Sequence, residues 1–224
     1  LGLAARTTKD LDLLRWDVAD LSAVDLQDLL DAALDVDLSD DCTFTVRRPR
    51  QVRAEDEMPS TWRVVVDVQM ARSPFESVTI DVVTSPVEPT SGVDAVAVRP
   101  VLGGKPFSVR SVDLPRHAAE KTHAYARIYA HDRPSSRVKD LVDLALLVEQ
   151  ELLEPAAYSL AVIDVFAERD ASTPPPDLPN PPGDWAAPFA AMAADIGLDQ
   201  QSLDGAAALI QRFYRFAFDR QDHQ

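Results

Sequence analysis

Cysteine and long apolar runs are both scarce in this sequence. Cys42 is the only cysteine among the 224 residues, so no intramolecular disulfide can form. No apolar run approaches the roughly 18 to 20 residues that a membrane helix needs. The opening segment LGLAARTTKD also lacks the basic region and apolar core that are typical of a signal peptide. Together these absences favour a protein of the reducing cytoplasm without a membrane-spanning segment.

Positive charge is also in short supply. The chain has 22 Lys and Arg residues against 37 Asp and Glu residues, which gives a formal net charge of -15 and a pI near 4.5. Because affinity for phosphates comes mainly from Lys and Arg, this balance argues against binding nucleic acid over the whole surface. One basic segment, RRPRQVR, includes Arg47 to Arg53. It fits a local phosphate-binding patch, and it fits at least as well a charged edge strand protected by Pro49.

Several catalytic motifs are missing. The sequence contains no G-x-S-x-G segment, which leaves acyl transfer by a serine nucleophile without support. It contains no G-x-x-x-x-G-K-S/T segment, which excludes a P-loop nucleotide site. His117, His123 and His131 are unevenly spaced and have no cysteine partners, so they predict surface or hydrogen-bonded histidines rather than a zinc site.

The hydrophobic residues, 46% of the chain, are numerous enough for a sizeable core. Alternating apolar positions predict mainly strands before Pro115, with one early helix, and from Pro115 onward the periodicity is helical. Strands are predicted at about 10–15, 43–52, 61–70 and 77–84, with weaker ones in VDAVAVRPVL and PFSVRSVDL. Helices are predicted in SAVDLQDLLDAAL, HAAEKTHAYARIYA, VKDLVDLALLVEQELL and AAYSLAVIDVFAERD, and at about 184–196 and 203–218.

Strands first and helices afterward predict an α+β fold, in which a mixed β-sheet core is followed by a mainly helical C-terminal part. We expect the core in residues 1–114 and the helical part in residues 115–224. Within the helical part, the segment STPPPDLPNPPGDW predicts a stiff proline-rich connection at 173–183.

Three aspartates are predicted to lie in strands. Asp10 and Asp12 share one face of a strand that should otherwise be buried, and Asp81 lies in the middle of the strand at 77–84. Like charges about 6 to 7 Å apart repel each other unless water, a cation or a donor compensates them. Mg²⁺ prefers oxygen ligands, and a pair of such ions can activate a hydroxyl and stabilise a leaving phosphate. By composition alone, however, a half-exposed strand without metal is the better explanation of a D-x-D pattern.

Three segments in this order resemble a known family. They are RTTKDLDLL, the mid-strand acid in VTIDVVTS, and AEKTHAYARIYAHDRPSSRVKDLVDLALL. Their combination resembles the AbiEii family of nucleotidyltransferase-like toxins from bacterial toxin-antitoxin pairs, within the polymerase-beta-like nucleotidyltransferase superfamily. By motif the resemblance covers roughly residues 6–147, and it extends more loosely over the helical part. It implies a nucleotidyltransferase-like sheet core.

The resemblance also implies roles for individual residues. Asp10 and Asp12 would hold Mg²⁺ against the triphosphate of a bound NTP, and Asp81 would be the third acid, which helps to activate the acceptor hydroxyl. Lys121 would contact the nucleotide phosphates, and Asp143 would be the motif acid of the following helix. Family members with a known activity transfer nucleotides to the 3′ end of tRNA, which blocks translation, and a cognate antitoxin restrains them. We therefore expect tRNA and an antitoxin as partners.

The residues themselves leave alternatives open for Lys121 and Asp143. A lysine near three acids could balance them or bind phosphate as a point charge, or it could form a structural ion pair with Asp140 or Asp143. A charged, solvated helix start with Arg137 and Lys139 explains the two aspartates nearly as well.

One expected family feature is missing from the sequence. The family carries a GG-Ser/Thr motif shortly before the D-x-D strand, where backbone amides and a hydroxyl grip phosphates. Gly2 stands alone there, while Gly103 and Gly104 are typical of a hairpin turn. Either residues upstream of Leu1 supply the motif, or the chain keeps the acids without the phosphate grip and acts by binding an antitoxin or another protein. A metal-dependent nuclease built on the same acids is a third possibility.

Overall fold

The computed structural model describes residues 10–16, 21–37, 41–52, 61–85, 92–100, 105–127 and 137–219. The chain divides into two compact units. The described residues 10–85 belong to the first, here called the sheet unit, and the described residues 92–219 belong to the second, the helical unit. The predicted α+β fold is confirmed. No helix in these ranges is long and apolar enough to cross a membrane.

The sheet unit is built around a mixed sheet. Its elements are β1 (Asp10–Trp16), α1 (Ala23–Leu34), β2 (Cys42–Val46), β3 (Arg50–Val52), β4 (Thr61–Met70) and β5 (Ser73–Ser85). The strand order is β1-β5-β4-β2, and β3 also pairs with β4. β1 runs parallel to β5, while the other pairs are antiparallel. This arrangement makes β1 an edge strand among the described residues.

One face of this sheet packs against α1 and forms the core of the unit. Alternation in β4 and β5 places valines and isoleucine on that face, where they meet the leucines of the helix. The buried residues are Leu26, Leu30, Val46, Val64, Val66, Ile80 and Val82. The helix begins at a capping box, because the Ser22 hydroxyl accepts from the Asp25 amide at 3.2 Å and the Asp25 carboxylate accepts from the Ser22 amide at 3.3 Å.

Two sequence predictions in the sheet unit need correction. The strand predicted at 43–52 is interrupted between β2 and β3, because Pro49 has no amide hydrogen to donate to a ladder. The burial expected for the first strand is also wrong: Leu11 is 49% exposed and Leu13 is 38% exposed. An edge strand has a neighbour on one side only, which explains this exposure. The strand predicted at 77–84 is confirmed and is longer, Ser73–Ser85.

The helical unit begins with a two-stranded hairpin and continues as helices. Its elements are β6 (Val93–Val98), β7 (Phe107–Val112), α2 (Leu114–Ala126), α3 (Val138–Glu149), α4 (Pro155–Asp170), a short 3-10 helix (Gly183–Trp185), α5 (Ala186–Ile196) and α6 (Leu203–Asp219). All five segments of this unit that were predicted to be helical contain a helix, but α2 ends at Ala126 and α3 ends at Glu149, earlier than predicted. Residues 128–130 of the first of these predictions lie outside the described residues. The two weaker strand predictions are also confirmed, and these strands pair with each other. The division between residues 1–114 and 115–224 that the sequence predicts, at the start of the helices, stays a prediction.

The proline-rich connection lies against the helices rather than in open solvent. Tyr125 donates its hydroxyl hydrogen to the Pro179 carbonyl at 2.6 Å, and Tyr214 donates to the Pro175 carbonyl at 2.6 Å. Leu178 is buried in the helical core. Burial raises the pKa of both phenols to about 12, so they remain donors at neutral pH. The segment is thus held by side chains of α2 and α6.

Candidate functional site

Register places the three predicted strand acids on one face of the sheet. In the parallel pair of β1 and β5, Asp10 lies opposite Thr79 and Asp12 lies opposite Asp81. Opposed residues on neighbouring strands point to the same side, and such strands lie about 4.8 Å apart. Asp12 and Asp81 are therefore neighbours across the two strands. Asp10 lies on the same face, two residues before Asp12 along β1. This face is the one opposite to the buried Ile80 and Val82.

Arg63 from β4 completes this set. It lies opposite Asp81 in the antiparallel register of β4 and β5. Its Nε donates to Asp81 Oδ1 at 2.8 Å and its Nη2 donates to Asp81 Oδ2 at 2.6 Å, so the contact is bidentate. We call Asp10, Asp12, Asp81 and Arg63 the acid face. The hydrogen bonds and charge of Asp81, with smaller contributions from the charges of Asp10 and Asp12, raise the pKa of Arg63.

The acid face has the right donor chemistry for Mg²⁺, since carboxylate oxygens are the ligands that this ion prefers. Asp10 and Asp12 are exposed, while the Asp81 side chain is only 17% exposed and both its oxygens accept from Arg63. Within the described ranges, no three His, Cys, Asp or Glu side chains converge as a ready-made metal site. The residues fit a cation held by Asp10 and Asp12. The prediction that Asp81 is also a metal ligand stays a prediction.

A second arginine-aspartate pair lies on the same face of the sheet. Arg47 Nε and Nη2 donate to the two Asp67 carboxylate oxygens, each at 2.7 Å, and Ser77 Oγ donates to Asp67 Oδ1 at 2.7 Å. The hydrogen bonds from Arg47 and Ser77 lower the pKa of Asp67. Asp67 is four residues from Arg63 along β4, which corresponds to about 13 Å. This pair accounts for one arginine of the basic segment; the phosphate-binding patch stays a prediction.

Lys121 and Asp143 are brought together in the helical unit. Lys121 of α2 donates from Nζ to Asp143 Oδ2 of α3 at 2.7 Å, and each side chain is 15% exposed. Asp140 Oδ1 is 3.6 Å from the same ammonium, and Asp140 Oδ2 accepts from Arg137 Nε. The ion pair that the sequence left open is therefore present. We call Lys121, Arg137, Asp140 and Asp143 the lysine cluster, in which two cations face two carboxylates.

Local sequence explains why α2 presents Lys121 at this point. The Asp113 side chain accepts from the Arg116 amide at 2.8 Å and caps the helix, and Pro115 fits its first turn. Thr122 shares a 2.7 Å hydrogen bond with the Tyr158 hydroxyl in the core. With the apolar face of α2 fixed in this way, Lys121 is directed toward α3.

His117 is a member of this neighbourhood that sequence reasoning treated only as an unsuitable zinc ligand. It lies one turn before Lys121 on α2. Burial, and then the charge of Lys121, lowers the pKa of His117, while the charges of Glu120, Asp143 and Asp140 act in the opposite direction. The imidazole is therefore neutral at pH 7. The i, i+4 spacing with Lys121 was the available signal.

Arg63 was also missed. Its signal in the sequence is weak, because WRVVVDV shows only that Arg63 lies on the strand face opposite to Val64 and Val66. Which carboxylate it meets depends on the register between β4 and β5, and this register is not written in either strand alone.

Comparison with known proteins gives one family match. A family model described as "Nucleotidyl transferase AbiEii toxin, Type IV TA system" matches residues 1–215 of the chain. No individually curated protein matches the chain. The match confirms the resemblance seen in RTTKDLDLL and AEKTHA, and it extends that resemblance over most of the helical part.

Proposed function

Because the chain belongs to the AbiEii family of nucleotidyl transferase toxins of type IV toxin-antitoxin systems, we propose that it transfers a nucleotide from an NTP to an RNA hydroxyl. The proposed acceptor is the 3′ end of tRNA, whose modification would block translation, and the proposed cofactor is Mg²⁺. One observation carries the proposal: Asp10 and Asp12 share a sheet face with Asp81, which is in register with Asp12.

The acid face would serve the reaction by holding charge in fixed positions. Asp10 and Asp12 would hold the Mg²⁺, which supplies charge neutralisation for the triphosphate when bound. Asp81 would act beside them, with its orientation fixed by Arg63. The acceptor oxygen would bond to the α-phosphorus and release its proton to water, while the bond from the α-phosphorus to the leaving pyrophosphate breaks. Positioning and electrostatic stabilisation would supply most of the rate enhancement.

In the helical unit we propose that Lys121 contacts the nucleotide phosphates. Its pairing with Asp143 at 2.7 Å supports this role, because it holds the ammonium in one place. Phosphate oxygens would then take over some of the ammonium's hydrogen bonds on binding. Asp143 would act as the residue that positions Lys121.

The test is transfer of each labelled NTP to total tRNA with Mg²⁺, by the wild-type chain and by an Asp12→Asn variant. The Asp67→Asn variant is a matched control, because Asp67 lies on the same sheet face about 13 Å along β4 from Arg63. We expect labelled tRNA with wild type and Asp67→Asn, and a loss of about 100-fold or more with Asp12→Asn. Full activity in Asp12→Asn would refute the mechanism, and shortening rather than labelling of RNA would identify a nuclease.

A second candidate function is binding without catalysis, in which the chain acts through an antitoxin or another protein partner. It is supported by the family match, because a toxin-antitoxin family implies an antitoxin partner. The residues given before β1 contain Gly2 but no GG-Ser/Thr motif. The same assay should therefore include a version extended to the start of its coding frame. Transfer by the extended form alone would show that the added residues supply the binding of the nucleotide phosphates. A folded protein that transfers no nucleotide in either form would favour the binding function.

A further inference from the structure

We propose that Arg50 binds a phosphate of the RNA acceptor strand beside the acid face and so positions the acceptor for transfer. Arg50 belongs to the basic segment RRPRQVR, which the proposed reaction does not otherwise use, and its side chain is exposed. Among the described residues its strand, β3, pairs with β4 alone. The inference rests on the proposed transfer to RNA, and it adds a place where the acceptor is held.

The first argument is an irregularity between β2 and β3, which both pair with β4. At the end of β2, Val46 lies opposite Val66. At the start of β3, Arg50 lies opposite Arg63. Four steps along the edge chain therefore face three steps along β4, so the edge chain contains one extra residue, as in a β-bulge. Pro49, which has no amide hydrogen to donate to a ladder, lies within this bulge.

The extra residue decides which face of the sheet carries Arg50. In an uninterrupted ladder Arg50 would lie opposite Trp62, and it would share the face that packs against α1. The bulge turns Arg50 to the opposite face, where Arg63 and Asp81 lie. Bulges of this kind are common next to active sites, where they redirect a side chain.

The second argument is the row of side chains that results. Successive registers place four residues opposite one another across the sheet, namely Arg50 of β3, Arg63 of β4, Asp81 of β5 and Asp12 of β1. Neighbouring strands are about 4.8 Å apart, so the backbone at Arg50 is about 14 Å from that at Asp12. Arg50 is thus at the far end of the row from the acids proposed to hold the NTP, which favours a phosphate of the acceptor strand over the triphosphate.

The third argument is charge. Arg50 and Arg63 are like charges directly opposite each other, an arrangement that destabilises a sheet unless anions compensate it. Asp81 pairs with Arg63, and Asp67 pairs with Arg47. In the part of the chain that the structure describes, no carboxylate forms an ion pair with Arg50. Its charge is therefore available to a ligand, and a local cation is what a chain with a net charge of -15 needs to hold RNA.

The test measures binding of total tRNA without NTP, between about 50 and 200 mM KCl. We expect Arg50→Gln to bind tRNA about fivefold more weakly than wild type at the lower salt concentration. The slope of log affinity against log salt should become shallower by about 0.7 to 1, as for one lost phosphate contact. In steady-state transfer its KM for tRNA should rise, while its KM for NTP stays that of wild type. Arg50→Lys should recover part of the affinity, since lysine keeps the point charge.

A matched control moves the guanidinium to the other face of the sheet. Arg50→Gln combined with Gln51→Arg keeps the net charge, but the exposed Gln51 lies opposite Trp62, on the face that packs against α1. This double variant should bind tRNA as weakly as Arg50→Gln. Arg15→Gln should bind like wild type, because it removes an exposed arginine of β1 from that same face.

Two results would overturn the inference at the level of binding: equal tRNA affinity in wild type and Arg50→Gln, or full recovery in the double variant. A rise in the KM for NTP alone would also overturn it, because the bound phosphate would then belong to the nucleotide. The proposed transfer reaction fails separately, if the wild-type chain binds tRNA in this way but transfers no label to it.

Discussion

In the acid face of the sheet unit, the exposed carboxylates of Asp10 and Asp12 lie beside Asp81, which is paired with Arg63. In the helical unit, the carboxylates of Asp140 and Asp143 share a largely buried helix contact with Lys121 and Arg137. The first group places two carboxylates in contact with water, while the carboxylates of the second are held by ion pairs inside the helical unit. Buried carboxylates need partners for the fold to be stable, whereas exposed ones stay accessible to a ligand.

The largest effect on transfer and on stability should come from breaking the lysine cluster. Lys121→Met removes the cation from Asp143 and weakens the surroundings of buried Asp140. We expect a loss of transfer of about 100-fold and a loss of about 1 to 3 kcal/mol in the free energy of unfolding. Transfer to tRNA and urea denaturation measure the two effects.

Lys139→Met is the control for that variant, since Lys139 is an exposed lysine of α3 next to Asp140. It should keep both transfer and stability. If Lys121→Met kept its stability and lost only transfer, the lysine cluster would resemble the acid face, and the contrast between the two groups would be wrong.

A smaller effect concerns pH and the neutral His117. Its pKa in the folded protein is lowered from the ordinary value of 6.5, chiefly by burial. Between the two pKa values the unfolded chain binds more protons than the folded one, so the stability contributed here falls as the pH falls below about 6.5. We expect His117→Gln to lose less stability than wild type between pH 7.5 and pH 5.5, as measured by urea denaturation.

That comparison cancels the contributions of titratable groups elsewhere in the chain. An equal loss of stability in wild type and His117→Gln would mean that the imidazole is protonated equally easily in both states. The nearby charges of Glu120, Asp143 and Asp140 would then offset burial and the charge of Lys121.

The smallest effect is expected in the scaffold of the sheet unit. Ser22→Ala removes the hydroxyl that accepts from the Asp25 amide, which should cost about 1 kcal/mol of stability. Ser22→Asn keeps an acceptor and should cost less. Neither variant should change the Mg²⁺ affinity of the acid face, because the cap belongs to the face of the sheet that packs on α1. A change in Mg²⁺ affinity in both variants would show that the two faces are coupled.

Local patterns made much of the fold predictable from sequence. The helices from α2 to α6 follow from apolar periodicity together with Pro115 and Pro155 near two helix starts. β4 matched its predicted bounds, because alternation of Val64, Val66 and Val68 is a signal within one strand. The interruption of the strand at 43–52 could also have been read from Pro49, which ends the ladder between β2 and β3.

The site was only half predictable, because its contacts cross strands. Strand alternation and the family resemblance are enough to predict which sheet face carries Asp10, Asp12 and Asp81. The meeting of Asp12 with Asp81 depends on parallel pairing between β1 and β5, which are far apart in sequence. Arg63 depends on a second register, and no single-strand pattern contains that information.

The central claim is that Asp10 and Asp12 are paired on the acid face to hold a divalent cation. The most direct test is the thermal unfolding midpoint of wild type, Asp12→Asn and Asp67→Asn, with and without Mg²⁺. A ligand at about ten times its Kd stabilises the folded state by about 1.4 kcal/mol, which should raise the midpoint of wild type and Asp67→Asn by roughly 3 °C. Asp12→Asn should show no rise. An equal rise in all three proteins, or none in wild type, would contradict the claim.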